Sequence, residues 1–204
     1  MENSAILVEH VTKKFGTETV LEDVCLRVKQ GSICGIVGRN GSGKTVLFKC
    51  ICGLLHTNSG NIQVDRAQIG AIIEEPGFLK QYSGKKNLKL LASLSDKPHK
   101  DFDELLALVG LSSAGQKRVG KYSMGMKQRL GIAQAIMENQ QILILDEPMN
   151  GLDNQGVQEI RDLFLKLQEE GKTILLASHN REDIDVLCDE VYEMAHGHLQ
   201  VLPK

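Results

Sequence analysis

One glycine-rich segment, set between an apolar run and a helical pattern, constrains the fold of this chain most strongly. The apolar run Ile33–Val37 lacks alternating polar residues, which predicts a strand buried on both faces. The next eight residues match the pattern G-x-x-x-x-G-K-[ST], and we expect a helix from Lys44 to about Cys52, closed by Gly53. The segment itself consists of Gly38, Arg39, Asn40, Gly41, Ser42, Gly43, Lys44 and Thr45.

This glycine-rich segment has the chemistry of a phosphate-binding loop. Glycines allow successive backbone N–H groups to point inward, and the N-terminus of the following helix adds its positive dipole end. In this pattern Lys44 reaches the β- and γ-phosphates of a nucleotide, and the Thr45 hydroxyl can ligate Mg²⁺. Val46, the next residue, completes the set of candidate nucleotide-binding residues in this segment. A glycine-rich turn without a ligand is the alternative, and the order of strand, loop and helix argues against it.

Two further apolar runs predict buried strands whose ends carry chemically active side chains. Asp146 and Glu147 follow the run Ile142–Leu145, and His179 follows the run Thr173–Ala177 with one serine between. Sheets of parallel strands bind ligands at the carboxyl ends of their strands. We expect Asp146 to hold the Mg²⁺ shell, Glu147 to act as general base, and His179 to sense or stabilise the γ-phosphate. The alternatives are a solvated acidic turn and a structural histidine.

The rest of the α/β core is indicated by shorter patterns. Alternating residues in Ala5–Val11 and Leu21–Val28 predict half-buried antiparallel strands near the start of the chain. Between the last two buried strands lies a helical pattern, with Asp153 as its N-cap and Gly171 closing it. The segment Glu190–Val201, with a glycine between two short apolar stretches, predicts a final hairpin.

Residues 82–139 differ in character from the segments on either side. They hold leucines at helical spacing and no convincing strand, so we predict a helical subdomain inserted into the α/β core, which is formed by residues 1–81 and 140–204. The leucines are Leu88, Leu91, Leu94, Leu105 and Leu108.

Composition excludes several classes of protein. The 204 residues carry 24 Lys and Arg against 26 Asp and Glu, a net charge of −2, which argues against a nucleic-acid partner. No apolar run approaches the roughly 20 residues that cross a bilayer, and no export signal stands at the start, so we expect a cytoplasmic protein. An odd number of cysteines predicts buried, reduced thiols; they are Cys25, Cys34, Cys50, Cys52 and Cys188.

A segment of the helical region resembles the signature of the ABC ATPases. Tyr122–Leu130 reads Y-S-M-G-M-K-Q-R-L, which is similar to L-S-G-G-Q-x-Q-R and the helix that it opens. The phosphate-binding loop, the Asp146-Glu147 pair, a D-loop-like Asn150–Asp153 and His179 fall in the order of that family. The chain looks like the ATP-binding subunit of an ABC exporter. Together with the signature, Ile73–Phe78 makes it most similar to the bacitracin and lantibiotic branch.

The resemblance implies a fold and a mechanism. The fold is α/β: a P-loop NTPase (RecA-like) core with an N-terminal antiparallel β subdomain and an inserted α-helical signature subdomain. Family members bind ATP and Mg²⁺ as head-to-tail dimers, homodimers or paired ATPase subunits, and Ser123 and the Gly125 N–H would cap the γ-phosphate held by the other subunit. Phe15 matches the aromatic residue that stacks on adenine. Ser123 as an ordinary N-cap and Phe15 as a core residue remain open.

The resemblance also implies a partner in the membrane. Separate transmembrane permease subunits would receive the motion of the ATPase and hold it at the inner face of the membrane, and the transported compound would be a drug, a peptide or a lantibiotic. The segment from Glu74 to Asn87 lies where the family docks the permease, with Phe78, Leu79 and Tyr82 as candidate anchors. An ABC ATPase without a transport role is the alternative function, and a P-loop kinase or GTPase is a weaker one.

Three positions depart from the family pattern. Glu74 stands where the family usually has Gln, and we expect its carboxylate to keep the Mg²⁺ and coupling role. Met124 and Met126 replace a glycine and a glutamine of the signature, which puts polar contacts to the opposite ribose in doubt. Asp183 replaces a glutamate four residues after His179, which we interpret as a minor change.

Overall fold

The structure is a computed structural model that describes residues 4–203, and over that range it contains nine β-strands and six α-helices. In chain order they are β1 (Ser4–Phe15), β2 (Glu18–Lys29), β3 (Ile33–Val37), α1 (Lys44–Ile51), β4 (Ser59–Val64), β5 (Ile69–Ile72), α2 (Gly84–Ala92), α3 (Phe102–Leu108), α4 (Met124–Ile136), β6 (Ile142–Asp146), α5 (Asn154–Glu169), β7 (Thr173–Ala177), α6 (Arg181–Leu187), β8 (Glu190–Ala195) and β9 (His198–Leu202).

A six-stranded sheet forms the centre of the fold. Its strand order is β5-β6-β7-β3-β8-β9, and all neighbours are parallel except the final hairpin of β8 and β9. The three strands predicted to be buried, β3, β6 and β7, are adjacent, which confirms the interpretation of their continuous apolar runs. In the register, Ala177 pairs with both Ile36 and Asp146, so the carboxyl ends of these strands meet at one edge.

A smaller antiparallel sheet packs beside the central one. The predicted pair β1 and β2 is confirmed, and their inward residues Val24, Leu26 and Val28 are buried. A third strand, β4, follows α1 in the chain and pairs with β1 on the side opposite β2, with Val8 opposite Ile62. We did not predict this strand from the sequence. Its residues are mostly polar and exposed, as is typical of a strand at a sheet edge that faces water.

The region between β5 and β6 is helical, as predicted. Within residues 82–139 the structure shows α2, α3, α4 and two short 3₁₀ turns, and a lone bridge between Ser83 and Arg118 is the only strand-like pairing. Leu130 and Ala133 are buried in α4, and Met137, which follows the helix, is buried as well. The expectation for Leu94 was wrong. It is 84% exposed, because α2 ends at Ala92 and the chain turns before Leu94.

The helix between β6 and β7 begins and ends as predicted. The Asp153 carboxylate accepts a hydrogen bond from the Gly156 N–H at 2.8 Å, which satisfies one of the free donors at the start of α5. Gly171 follows the helix with a φ of +85°, a left-handed conformation that costs glycine little.

The five cysteines are free thiols, and the prediction that they are buried holds for three of them. Cys34, Cys50 and Cys188 are buried, whereas Cys25 is exposed, so the prediction was wrong for that residue. Burial raises the pKa of Cys52 to about 11, more than the nearby Arg66 lowers it. Over residues 4–203, no helix has both the length and the apolar character needed to cross a membrane.

Candidate nucleotide site

A cavity of about 480 Å³ lies at the edge where the carboxyl ends of β3 and β6 meet. It is lined by most of the phosphate-binding loop, by Glu74, and by Asp146 and Glu147. The structure therefore brings together residues that are about 100 positions apart in the chain, as the parallel arrangement of the two strands requires. Of the predicted site residues, those lining this cavity are Asn40, Gly41, Ser42, Gly43, Lys44, Thr45, Val46, Glu74, Asp146 and Glu147.

The phosphate-binding loop contains donors that lack a strong partner. Lys44 is buried, and its Nζ donates hydrogen bonds to the Gly38 carbonyl at 2.7 Å and the Arg39 carbonyl at 3.1 Å. The Ser42 hydroxyl is buried and has no hydrogen-bond partner within the described residues. Gly43 has a φ of +112° and lies against Leu21, so a side chain there would be strained. A buried ammonium held only by carbonyls, next to an orphaned hydroxyl, fits an anionic ligand.

The residues expected to hold Mg²⁺ are partly assembled. The Thr45 hydroxyl donates to Asp146 Oδ2 at 2.6 Å, which places two oxygen ligands of the kind that Mg²⁺ prefers side by side. Glu74 lines the same cavity, but its carboxylate forms an ion pair with Lys49 of α1 at 2.8 Å, and Glu74 has a φ of +62°. No three His, Cys, Asp or Glu side chains cluster as metal ligands among residues 4–203. Two protein oxygens are sufficient for Mg²⁺, which keeps waters and binds substrate phosphates.

Glu147 and His179 form a pair at the ends of two neighbouring strands. Nδ1 of His179 lies 2.8 Å from Oε2 of Glu147, and the imidazole is mostly exposed while the carboxylate is mostly buried. The Glu147 backbone has a φ of +50°, a conformation uncommon outside glycine, and its carbonyl accepts a hydrogen bond from Gln128 at 3.2 Å. Strained backbone of this kind often occurs at functional sites. The pair can accept and pass a proton, as general-base catalysis requires.

Two signature residues, Ser123 and Gly125, lie in a different cavity. Ser123 and Gly125 line a second space of about 440 Å³, together with Gly151 and Asp153 of the D-loop-like segment. The Ser123 hydroxyl accepts a hydrogen bond from the Met126 N–H at 3.2 Å, so the N-cap interpretation is confirmed. This bond leaves the donor capacity of the hydroxyl for another group. Ser123 and Gly125 do not line the cavity of the phosphate-binding loop, although Met124 and Gln128 of the same segment do.

Four predicted residues line neither of these two cavities: Phe15, Gly38, Arg39 and His179. His179 reaches the first cavity through its contact with Glu147. Phe15 ends β1 with 45% of its surface exposed, and Lys13 Nζ lies 4.8 Å from the ring centroid. The interpretation of Phe15 as a core residue was therefore wrong, since the residue is exposed at the end of β1 beside Lys13. Arg39 is exposed on the phosphate-binding loop.

Sequence reasoning missed several residues that support the site. Lys49 holds Glu74, and Gln128 holds the backbone of Glu147. Arg161 of α5 binds Asp183 through Nη2 at 2.6 Å and Nε at 3.0 Å, with both side chains buried. Asp183 therefore carries a buried ion pair next to the His179 loop, a contact that we did not predict. Gln128 stands in the signature segment and could have been found there, whereas no local pattern marks Lys49 or Arg161.

Comparisons with known proteins place the chain in a family. The sequence profile of the ABC transporter family matches residues 21–150. A bacitracin transport ATP-binding protein, BcrA of Enterococcus faecalis, is 41% identical over 207 residues, which cover 95% of this chain and 67% of BcrA. A lantibiotic transport ATP-binding protein, SrtF of Streptococcus pyogenes, is 35% identical, with 89% of this chain and 83% of SrtF covered. The solved structure of cbiO1 from Clostridium perfringens, part of the ABC transporter complex cbiONQ, superposes with a TM-score of 0.83 at 28% identity, covering 98% of this chain and 88% of cbiO1.

The fold, the phosphate-binding loop with its neighbouring acids, and these similarities lead to one assignment. The chain belongs to the ABC transporter family and is one of its ATP-binding, ATP-hydrolysing subunits.

Proposed function

We propose that this subunit powers the export of a drug, a peptide or a lantibiotic through separate transmembrane permease subunits. The names of BcrA and SrtF, which refer to bacitracin and lantibiotic transport, support this class of transported compound. The permease would hold the subunit at the inner face of the membrane, and no nucleic acid is involved. The helical subdomain at residues 82–139 would be the part that moves relative to the core at residues 1–81 and 140–204.

The separation of the two cavities is the observation that carries the proposed mechanism. Lys44 lines one cavity, whereas Ser123 and Gly125 line another cavity of the same chain, so these two signature residues are not placed on a phosphate held by their own phosphate-binding loop. A second ATPase subunit, arranged head to tail, would place its Ser123 and Gly125 over the γ-phosphate bound by the first. The second subunit would be another copy of this chain or a related one. ATP bound at this interface would close the dimer, and hydrolysis would open it.

Each residue of the first cavity has a part in this mechanism. The loop Gly38–Val46 and Lys44 would bind the triphosphate, and Phe15 would stack on adenine. Thr45 and Asp146, with Glu74 after release from Lys49, would hold Mg²⁺, which neutralises phosphate charge when it is bound. Glu147 would accept the proton of the attacking water. His179 would hold the Glu147 carboxylate and sense the γ-phosphate through it.

The permease would dock on the segment between β5 and α2. Leu79 and Tyr82 are 48% and 41% exposed in this segment, and Phe78 is partly buried against the core. Asn87 fixes the segment, since its side chain exchanges hydrogen bonds with both the N–H and the carbonyl of Leu79. Exposed apolar side chains on a rigid support are typical anchors of a protein interface.

The dimer can be tested with a variant that binds ATP but cannot hydrolyse it. Glu147→Gln with saturating ATP and Mg²⁺ should elute from size-exclusion chromatography as a dimer, with its mass measured by light scattering. The matched control adds Ser123→Arg, whose bulk and charge would block the interface without touching the phosphate-binding loop, and it should remain a monomer. If Glu147→Gln stays monomeric when ATP is bound, the head-to-tail mechanism is wrong for a homodimer. Mixing with a related ATPase subunit from the same membrane then tests the paired form.

A further inference from the structure

The small net charge of this chain conceals a strong separation of charge. Residues 82–139 contain 10 Lys and Arg against 5 Asp and Glu, a net charge of +5, while all other residues contain 14 against 21, a net charge of −7. Charge of one sign gathered in one part of a small protein produces a field that attracts the opposite charge. The helical region is therefore electrostatically distinct from the α/β core that carries it.

Five exposed cations of this region, together with Lys80 just before it, lie on two neighbouring segments. The Gly120 N–H donates to the Lys80 carbonyl at 2.9 Å, and the Val119 N–H donates to the Tyr82 carbonyl at 2.8 Å, so the two segments run side by side. In α2 the buried residues include Asn87 and Leu88, which leaves the lysines on the opposite side of the helix. We call the following six exposed residues the basic face: Lys80, Lys86, Lys89, Lys117, Arg118 and Lys121.

Nothing within the described chain neutralises the basic face. None of its six cations forms an ion pair over residues 4–203, although nearby Lys85 pairs with Asp103. Lys86 also lies in the first turn of α2, which contains no acidic residue, and a cation there opposes the helix dipole. These charges repel one another and do not stabilise the fold. A ligand outside the chain is needed to explain why they are concentrated here.

We propose that the basic face binds the anionic phospholipid headgroups of the membrane directly. Five of its six cations are lysines, which attract phosphate as point charges, whereas a specific protein partner is more often held by the planar fork of arginine. The inference goes beyond the proposed function, because it rests on the cations of α2 and of residues 117–121, which lie outside the segment between β5 and α2 where the permease would dock.

Vesicle binding by the purified chain tests this proposal. One set of vesicles consists of phosphatidylcholine alone, and the other of phosphatidylcholine and phosphatidylglycerol in equal parts. The chain should sediment with the second set and not with the first, and added salt should release it. The triple variant Lys86→Gln, Lys89→Gln and Arg118→Gln should bind the anionic vesicles at least about tenfold more weakly, since each cation near such a surface contributes about fivefold.

A matched control removes the same charges from other surfaces. Lys14→Gln, Arg27→Gln and Lys166→Gln also neutralise two lysines and one arginine, all exposed and outside the basic face, and should change vesicle binding less than about twofold. Equal melting temperatures for both triple variants and the parent chain show that folding is intact. Equal losses in the two variants, or equal binding to both kinds of vesicle, would overturn the proposal. The proposal would also be overturned if the chain bound neither kind of vesicle while its basic face bound an acidic protein segment.

Discussion

Oε2 of Glu147 lies 2.8 Å from Nδ1 of His179, and this contact joins the ends of the adjacent parallel strands β6 and β7. Each side chain follows a strand buried on both faces, so neither backbone can shift without disturbing the core. The Glu147 N–H also donates to the Ala177 carbonyl at 3.0 Å, which continues the pairing of the strands beyond their ends. The backbone positions of the carboxylate and the imidazole are therefore fixed by the sheet, as catalysis by preorganised groups requires.

We predict that Glu147→Gln abolishes ATP hydrolysis without removing ATP binding. The amide cannot accept a proton from water, so turnover should fall by about a hundredfold or more, the range expected for loss of a general base. ATP affinity, measured by calorimetry, should stay within about threefold, because the phosphate-binding loop is unchanged. Glu75→Gln is the matched control, since Glu75 is an exposed carboxylate that lines the same cavity. Equal turnover in the two variants would remove Glu147 from the role of base.

His179→Ala should slow hydrolysis through Glu147. Without the imidazole, the carboxylate loses its hydrogen bond and the partner that stabilises its charge. If the two residues work as a unit, the double variant Glu147→Gln, His179→Ala should be no slower than Glu147→Gln alone. The rate of phosphate release is measured for both single variants and for the double variant, which completes a double-mutant cycle. Losses that multiply would mean that His179 acts on the phosphate independently of Glu147.

Lys44→Ala should prevent ATP binding itself. Lys44 is the buried cation of the phosphate-binding loop, and its hydrogen bonds go only to the carbonyls of Gly38 and Arg39, which a phosphate would replace with a stronger partner. We expect ATP affinity to fall by about a hundredfold, since a buried charge-assisted contact of this kind contributes about 3 kcal/mol. Lys166→Ala, on the exposed side of α5, controls for the loss of a lysine. Melting curves separate lost binding from lost folding, and tight binding by Lys44→Ala would contradict this role.

The sequence predicts those parts of the site that depend on residues close together in the chain. The phosphate-binding loop, the pair Asp146-Glu147 and the N-cap Asp153 depend on residues close in the chain and on the strand or helix beside them, so a local pattern is sufficient. The ion pair of Lys49 with Glu74 could not be predicted, because it depends on where α1 packs against the segment after β5. The strand β4 was not predicted for another reason: an exposed, polar edge strand shows little alternation of apolar and polar residues.

Glu74→Ala should lower both ATP hydrolysis and transport. The carboxylate lines the nucleotide cavity beside Thr45 and Asp146, and its ion pair with Lys49 ties the segment that leads to the proposed permease contact back to α1. Glu74→Gln should keep more activity than Glu74→Ala, because the amide oxygen can still act as a ligand. Glu75→Ala serves as the neighbouring control. Activity of Glu74→Ala equal to that of the parent chain, in hydrolysis and in transport, would show that this position carries neither role.

Asp183→Asn should destabilise the fold far more than Glu182→Gln, although both carboxylates bind the same guanidinium. Arg161 and Asp183 are buried, whereas Glu182 is mostly exposed, with 3.0 Å between its carboxylate and Arg161 Nη1. Removing the charge of Asp183 leaves the buried Arg161 without its main partner. Such a loss lowers the free energy of unfolding by about 3–5 kcal/mol. The exposed ion pair of Glu182 with Arg161 contributes at most about 1 kcal/mol to the free energy of unfolding.

Urea denaturation of both variants measures this difference. The Asp183 Oδ2 atom also accepts a weak hydrogen bond, at 3.4 Å, from the Ser178 hydroxyl next to His179. We therefore expect Asp183→Asn to reduce turnover as well as the free energy of unfolding, with Arg161 and the His179 loop loosened together. Equal losses of stability for Asp183→Asn and Glu182→Gln would mean that water reaches Arg161 freely. In that case the pair would not hold α5 and α6 together, and the position of His179 would have to come from Glu147 alone.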